Sequence, residues 1–183
     1  MDKKLLLYLI TGVIFTFLAG TLLHFAYEWS GTNFWVGLFA PVSESIWEHM
    51  KLLFFPMLIY SMVSCILFRR AQGSPNESPL AYLKHNYPCI CLGNALGILL
   101  GTSSIPVFFY TYSGILGTHC LFLDIVLFLC SVILGFICTY RTARTCSART
   151  YAGLIYAALA VFALCFFVFT AYPPDLGIFI FMS

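Results

Sequence analysis

The segment PVSESIWEHMK (Pro41–Lys51) leads directly into LLFFPMLIYSMVSCILF (Leu52–Phe68), and this junction of a charged and an apolar segment decides the fold. Pro41 and Ser43 are residue types that favour the start of a helix, because a serine hydroxyl can cap free backbone amides and proline cannot continue a helix backwards. The 17 residues of the apolar segment fall slightly short of the roughly 20 that cross a bilayer as a helix. We therefore predict a membrane-spanning helix whose charged first turns lie at the lipid–water boundary.

The composition of the chain is that of a membrane protein. Hydrophobic residues make up 61% of the 183 residues and charged residues only 9%, whereas globular proteins are about 45–50% apolar and roughly 25% charged. So few charges cannot cover the surface of a soluble domain of this length. We predict a single polytopic membrane domain over residues 1–183, whose principal partner is the lipid bilayer.

Five apolar stretches are long enough to cross a membrane, at about 5–26, 44–68, 88–112, 119–140 and 151–171. The first follows Met-Asp-Lys-Lys and is longer than the apolar region of a signal peptide, so we interpret it as an uncleaved span. Aromatic residues and glycines between the first two spans indicate a short interfacial or re-entrant segment on the outside. The predicted fold is therefore an all-α bundle of five transmembrane helices.

The basic residues predict the orientation of the chain in the membrane. If the N-terminus is cytoplasmic, eight of the nine basic residues lie on the cytoplasmic side and only Lys51 lies outside. This asymmetry follows the positive-inside rule. We predict a multi-pass protein of the plasma membrane with its N-terminus inside and its C-terminus outside. Topology and anionic lipid account for the basic residues, so we predict no nucleic-acid partner.

The eight cysteines lie at positions 65, 89, 91, 120, 130, 138, 146 and 165. Cys89 and Cys91 have the spacing C-x-C, which differs from the C-x-x-C of zinc and thioredoxin-like motifs. Most of the cysteines lie inside apolar stretches, where cysteine behaves as a small hydrophobic residue. We predict that nearly all of them pack as apolar side chains and that the chain has no disulfide framework.

The third span carries glycines at intervals of four residues, at Gly93, Gly97 and Gly101. Small residues at this spacing form one face of a helix, along which a second helix can approach closely in lipid. We predict that this glycine face packs against another helix. The pattern leaves open whether that helix belongs to the same chain, to a second copy in a homo-oligomer, or to another membrane protein.

Histidines and carboxylates gather at the predicted outer ends of the first two spans. His24 and Glu28 are four residues apart, so they share a face if the first helix continues that far. We expect Glu44 to lie in the first helical turn of the second span, where Glu44, Glu48 and His49 occupy one arc of an ideal helix. Imidazole nitrogen and carboxylate oxygen are ligands that zinc and other divalent ions take.

Asp124 lies inside the fourth apolar stretch, a few residues after His119. An ionisable group within a membrane span is costly and usually serves a function, so we expect Asp124 to be buried beside a partner. We predict a divalent metal ion such as zinc, ligated by His24, Glu28, Glu44 and His49, with catalytic roles for Glu48 and Asp124. The spacings differ from the His-Glu-x-x-His of zinc proteases, so no single motif identifies the site.

The segments HFAYEWSG (24–31) and PVSESIWEHMKL (41–52) resemble a family of small bacterial integral membrane proteins that is classed as a domain of unknown function. Asp124 and the Tyr-Pro-Pro at 172–174 are similar as well, although Asp175 stands where that family often has histidine. The resemblance implies a bacterial plasma-membrane protein and implies no activity. A more distant likeness, in Ser45-x3-His49 and Asp124, is to zinc-dependent membrane hydrolases of the ceramidase and progestin-receptor superfamily. Those proteins have seven spans and a late His-x3-His that this chain lacks.

Three classes of function are compatible with these features. The first is a metal-dependent membrane enzyme of hydrolase type, in which a carboxylate acts as general base on a metal-bound water. The second is a small transporter or binding subunit, whose acidic outer vestibule attracts a cation or another solute. The third is an accessory protein that joins a membrane complex through the glycine face. The convergence of imidazoles and carboxylates favours the enzyme.

Overall fold

The computed structural model describes residues 2–71 and 78–179, and within these ranges the chain is helical without any strand. The α-helices are α1 (Lys3–Trp29), α2 (Phe34–Gly37), α3 (Ile46–Arg70), α4 (Pro79–Asn86), α5 (Ile90–Leu116), α6 (Leu121–Thr145) and α7 (Ala152–Ala171). Single turns of 3-10 helix lie at Arg149–Tyr151 and Gly177–Phe179.

Five of these helices, namely α1, α3, α5, α6 and α7, are long and apolar enough to cross a membrane. This confirms the predicted all-α bundle of five membrane-spanning helices. The short helix α2 lies in the connection between the first two long helices, where the aromatic residues indicated an interfacial or re-entrant segment. The fold is thus compatible with a multi-pass membrane protein.

Capping residues explain where the first two long helices begin. The side chain of Asp2 accepts a hydrogen bond from a backbone amide in the first turn of α1, and Ser45 does the same for the amide of Glu48 in α3. Ser45 therefore marks the start of α3, and the chain from Pro41 to Ser45 is not helical. This corrects our expectation that Glu44 lies in the first helical turn, because the cap follows Glu44 instead of preceding it.

The glycine face of α5 lies against α6 of the same chain. A Cβ atom at Gly93 would lie 2.8 Å from the backbone carbonyl oxygen of Thr139, and one at Gly97 would collide with the carbonyl oxygen of Gly135. Gly101 also faces α6. The absence of side chains lets the two backbones approach closely. The structure is of one chain, so a homo-oligomer or another membrane partner stays a prediction.

Four of the cysteines form disulfides, and this corrects the prediction that nearly all of them pack as apolar side chains. Cys65 is bonded to Cys91, and Cys89 is bonded to Cys146. These cysteines are far apart in sequence but close in space, because α3 and α6 finish at the end of the bundle where α5 begins. The Cα atoms of Cys65 and Cys91 are 6.0 Å apart there. The cysteines without a disulfide are Cys120, Cys130, Cys138 and Cys165.

After α7, the segment that ends at Phe179 folds back onto the start of α3. The ring of Phe179 lies 5.0 Å from the ring of Trp47, between centroids, and Trp47 also contacts Phe166 of α7 at 4.9 Å. These aromatic contacts hold the apolar side of the first turn of α3. The opposite side of that turn carries the polar groups described next.

Candidate metal centre

Helices α1 and α3 approach each other closely one turn before His24. Gly20 faces the backbone carbonyl of Leu52, and a side chain at Gly20 would collide with that oxygen. Pro56 follows Leu52 by four residues and has no amide hydrogen, so the carbonyl lacks its usual helical partner. The close approach brings His24 of α1 beside His49 of α3, with their ring centroids 5.2 Å apart.

The start of α3 places Glu44 against the same histidine. Ser45 caps the helix, so Glu44 directly precedes it and His49 lies one turn inside it. The Oε2 atom of Glu44 lies 3.2 Å from Nε2 of His49. The other ring nitrogen of His49, Nδ1, donates a hydrogen bond of 2.9 Å to the carbonyl oxygen of Ser45. The imidazole is therefore held at both nitrogens.

His24, Glu44 and His49 form a group that could hold a metal ion. Each residue offers one ligand atom, and these three atoms lie within 4.8 Å of one another. The side chain of His49 is 30% exposed and that of Glu44 is 54% exposed, so the group is open to solvent on one side. An ion bound here would have three protein ligands and room for a further one.

The electrostatics of the group favour an ionised carboxylate. The hydrogen bond with His49 lowers the pKa of the Glu44 carboxyl below its ordinary value, and the charges of His49 and His24 act in the same direction. Glu44 is therefore ionised at neutral pH, which is the form of a carboxylate that binds metal ions.

A second set of polar side chains lies at the start of α6. Asp124 accepts a hydrogen bond from the hydroxyl of Tyr112, and its Oδ2 atom is 3.7 Å from Nδ1 of His119. Asp124 is also close enough to His49 to interact with it electrostatically. Its side chain is 31% exposed, so the expectation of a buried Asp124 is wrong. The reason is that α6 begins at Leu121, which places Asp124 in the first turn.

Glu48 belongs to a separate, buried network. Its Oε2 atom accepts hydrogen bonds from Nζ of Lys51 at 2.6 Å and from the amide of Val42 at 3.0 Å. Its Oε1 atom accepts one from the hydroxyl of Thr170 at 3.3 Å. Lys51 also donates to Thr170 and to the carbonyl of Gly37. The network joins α3 to α7 and to the connection that contains α2.

The structure brings together three of the four predicted metal ligands, His24, Glu44 and His49. The fourth, Glu28, is exposed on the last turn of α1 and lies outside the group. On an ideal helix Glu28 shares a face with His24. Glu28 lies one turn further along α1, however, beyond the region where α1 contacts α3.

The predicted catalytic residues lie in different surroundings. Asp124 contacts Tyr112 and His119, and Glu48 belongs to the buried network. Tyr112 was not among the predicted site residues, although it binds Asp124. A tyrosine near the end of a span is typical of the aromatic belt at a membrane surface, so its position carried no distinct signal. The same holds for Thr170, which resembles any threonine near a helix end.

Comparison with known proteins places the chain in a family. The model described as "Family of unknown function (DUF6512)" matches residues 2–182, and the chain therefore belongs to that family. This confirms the resemblance to a family of unknown function and assigns no activity. No curated protein and no solved structure matches the chain.

Proposed function

We propose that this member of a family of unknown function is a metal-dependent hydrolase of the bacterial plasma membrane. A divalent ion would be held at the outer end of the bundle by His24, Glu44 and His49. The proposal is supported by the convergence of these three side chains and by the five helices that are apolar enough to cross a membrane. The orientation rests on the distribution of basic residues.

The observation that carries the proposal is the placement of the two ring nitrogens of His49, one against the Ser45 carbonyl and the other against the Glu44 carboxylate. Because Nδ1 donates to the carbonyl of Ser45, the neutral imidazole has its lone pair on Nε2, which lies 3.2 Å from the Glu44 carboxylate. A cation joins two such atoms at this distance, either the proton of the hydrogen bond described above or a metal ion in its place. A proton would satisfy only this pair, whereas a divalent ion would also satisfy His24. A hydrogen bond from Nδ1 to a carbonyl is the usual support of a histidine that ligates a metal through Nε2.

Two histidines and one glutamate form a ligand set of catalytic zinc sites, in which a water molecule takes the fourth position. A zinc ion held by His24, Glu44 and His49 would supply an activated water as nucleophile, because zinc lowers the pKa of a bound water to about 7. The exposed side of Glu44 leaves this fourth position open to substrates. Hydrolysis of an ester, amide or phosphoester is the reaction class that such a site supports.

Asp124 is the group that we assign as general base. Its charge acts on His49, and the hydroxyl of Tyr112 and the ring of His119 lie against its carboxylate. Its carboxylate would take up the proton that an attacking water loses to become bonded to the substrate. Glu48 is less suited to this role, because hydrogen bonds to Lys51 and its other partners occupy both of its oxygens.

Zinc affinity of the purified protein in detergent tests the metal site. The wild-type chain should bind about one zinc ion per chain, measured by competition with a chromogenic chelator and by elemental analysis. His49→Ala and His24→Ala should weaken binding by roughly 100-fold or more, since even loss of a supporting residue costs about 10- to 100-fold. Glu28→Gln is the matched control, because it removes an exposed carboxylate one turn from His24 and should leave the affinity unchanged. Equal affinities of His49→Ala and wild type would refute the metal site.

Hydrolysis is tested separately with the zinc-loaded protein and p-nitrophenyl esters of acetate, longer fatty acids and phosphate. Asp124→Asn should retain zinc and lower the rate by roughly 10²- to 10⁴-fold, because a general base contributes about that much. If the wild-type protein binds zinc and hydrolyses none of these esters at a rate above that of His49→Ala, the site is a metal site without this activity.

Cation transport is a second candidate, and buried hydroxyl groups favour it. Thr16 of α1, Thr102 of α5 and Ser131 of α6 are fully buried, and their hydroxyls make no hydrogen bond within the described residues. Unsatisfied polar groups inside a membrane bundle are costly and often line an ion path. Uptake of zinc into proteoliposomes that contain a zinc-sensitive dye tests this candidate. Thr102→Val should slow the uptake, and a rate equal to that of empty liposomes for the wild-type chain would exclude it.

A further inference from the structure

The two disulfides lie side by side at the inner end of the bundle, by which we mean the end that carries the N-terminus. They join Cys65 to Cys91 and Cys89 to Cys146. Cys89 and Cys91 are separated by one residue at the start of α5, so the two bonds share this short stretch. One bond links α3 to α5, and the other links α5 to α6. Together they hold three of the membrane-spanning helices at one end.

Contacts with the N-terminus identify this end of the bundle. The carboxylate of Asp2 accepts a hydrogen bond of 2.8 Å from the hydroxyl of Tyr87, which lies two residues before Cys89. The ends of α3 and α6 at the same level carry Arg69, Arg70 and Arg144. By the positive-inside rule this is the cytoplasmic end. Disulfides are rare in the cytoplasm, and those that occur there are usually transient and serve catalysis or redox sensing.

Cys146 has a backbone conformation that is unfavourable for a residue with a side chain, which indicates that its disulfide has a role. Cys146 ends α6 in the left-handed conformation, with φ of 49°. Glycine is the usual residue at this position of a helix end, because a side chain there costs about 1–2 kcal/mol. A cysteine therefore occupies a place that favours glycine, and its bond to Cys89 crosses from α6 to α5.

Access differs between the sulfur atoms of the group. Cys89 is buried, whereas Cys65, Cys91 and Cys146 are partly exposed. Cys146 lies at the end of α6 in the connection to α7, where a thiol from the aqueous phase can approach it. Cys65 lies within α3, five residues before Arg70 at the end of that helix.

We propose that Cys65, Cys89, Cys91 and Cys146 form a redox-active site that exchanges electrons with a thiol reductant of the cytoplasm. The thiolate of the reductant attacks the sulfur of Cys146, forms a mixed disulfide and releases Cys89 as a thiolate, which takes up a proton. A second reductant thiol then attacks the mixed disulfide and releases Cys146. In sum, two thiols become one disulfide and the protein disulfide becomes two thiols. The bond between Cys65 and Cys91 is reduced in the same way, and oxidation reverses both steps.

The state of these bonds can be measured on the full chain in sealed membrane vesicles. Reduced glutathione, which does not cross the membrane, is added outside. Thiols are then trapped with acid and labelled with a 5 kDa polyethylene glycol maleimide. In inside-out vesicles the number of labelled cysteines should rise from the four free ones to all eight. In right-side-out vesicles it should stay at four until dithiothreitol, which crosses the membrane, is added.

The background from the free cysteines is removed in a variant that has alanine at positions 120, 130, 138 and 165. The number of labelled cysteines in this variant should rise from zero to four. Its matched control adds Cys89→Ser and Cys146→Ser, and its labelling should rise only from zero to two. Both variants are compared with the wild-type chain, so a folding defect would show as labelling before reduction. The proposal is overturned if glutathione reduces neither bond in inside-out vesicles, or if it reduces them only from the opposite side. The same labelling can be applied to growing cells whose thiols are trapped with acid. If both disulfides are found oxidised in these cells, the proposal is overturned as well.

Discussion

Lys51 is fully buried, and its partners explain how a charged side chain is tolerated inside an apolar bundle. Its Nζ atom donates hydrogen bonds to the Glu48 carboxylate at 2.6 Å, to the Thr170 hydroxyl at 2.6 Å and to the Gly37 carbonyl at 3.0 Å. A buried ion pair of this kind adds little net stability, but removal of one partner leaves the other charge buried without compensation. The stability of the fold therefore requires that Lys51 and Glu48 are both present or both replaced.

Lys51→Met should lower the free energy of unfolding by about 3–5 kcal/mol, because it leaves the Glu48 carboxylate buried and without its cation. The measurement is thermal and denaturant unfolding of the protein in detergent. The double variant Lys51→Met/Glu48→Gln should be more stable than the single variant, since the uncompensated charge is gone. Lys3→Met is the control, because Lys3 is exposed at the inner end. A double variant as unstable as Lys51→Met would contradict this account.

The contact between α5 and α6 depends on a row of glycines rather than on interlocking side chains. A Cβ atom at Gly97 would lie 2.6 Å from the hydroxyl oxygen of Thr139 and would collide with the carbonyl oxygen of Gly135. Gly97→Leu should therefore push the helices apart and destabilise the fold by at least roughly 1–3 kcal/mol, the cost of overpacking a core. Gly114→Leu on the same helix is the matched control, because nothing lies within 4 Å of that position. Equal melting temperatures of the two variants would show that α5 and α6 are not in close contact there.

The contact between α1 and α3 sets the distance between His24 and His49. Gly20→Ile would insert a branched side chain against the Leu52 carbonyl and separate the two helices. We expect zinc affinity to fall by about tenfold or more, the effect of losing support for a metal ligand, although no ligand is changed. Gly114→Ile should leave zinc affinity as it is. An unchanged affinity for Gly20→Ile would mean that His24 takes no part in the site.

Among residues 2–71 and 78–179, five helices could cross a membrane. This number is odd, so we expect the two ends of the chain to lie on opposite sides. Fusion of green fluorescent protein to the N-terminus should give fluorescent bacteria, because the fused protein then folds in the cytoplasm. Fusion of alkaline phosphatase to the C-terminus should give an active enzyme, since this enzyme needs the oxidising exterior to form its disulfides. Swapping the two fusions should abolish both signals. Activity of both reporters at the same end would disprove the predicted topology of five spans with a cytoplasmic N-terminus.

The class of the protein and the long helices that build it can be read from the amino-acid sequence. Apolar stretches act over a few neighbouring residues, so the long helices can be recognised without knowledge of the fold. The glycine row on α5 was visible for the same reason. The sequence places the start of the second long helix too early, at Pro41 and Ser43, because Ser45 is the residue that caps it. Depth in the membrane also follows from position along a helix, which is why histidines and carboxylates were expected at one end.

Only the tertiary structure decided which of these groups meet. Glu48 and His49 are neighbours in sequence and share one arc of an ideal helix, yet Glu48 turns to Lys51 and His49 lies beside His24. The pairing of Cys65 with Cys91 was likewise not readable from their spacing. The physical reason is that hydropathy sets the depth of a residue but not the rotation of a helix about its axis. That rotation is set by backbone contacts between distant residues, such as Gly20 against Leu52, which only the folded chain brings together.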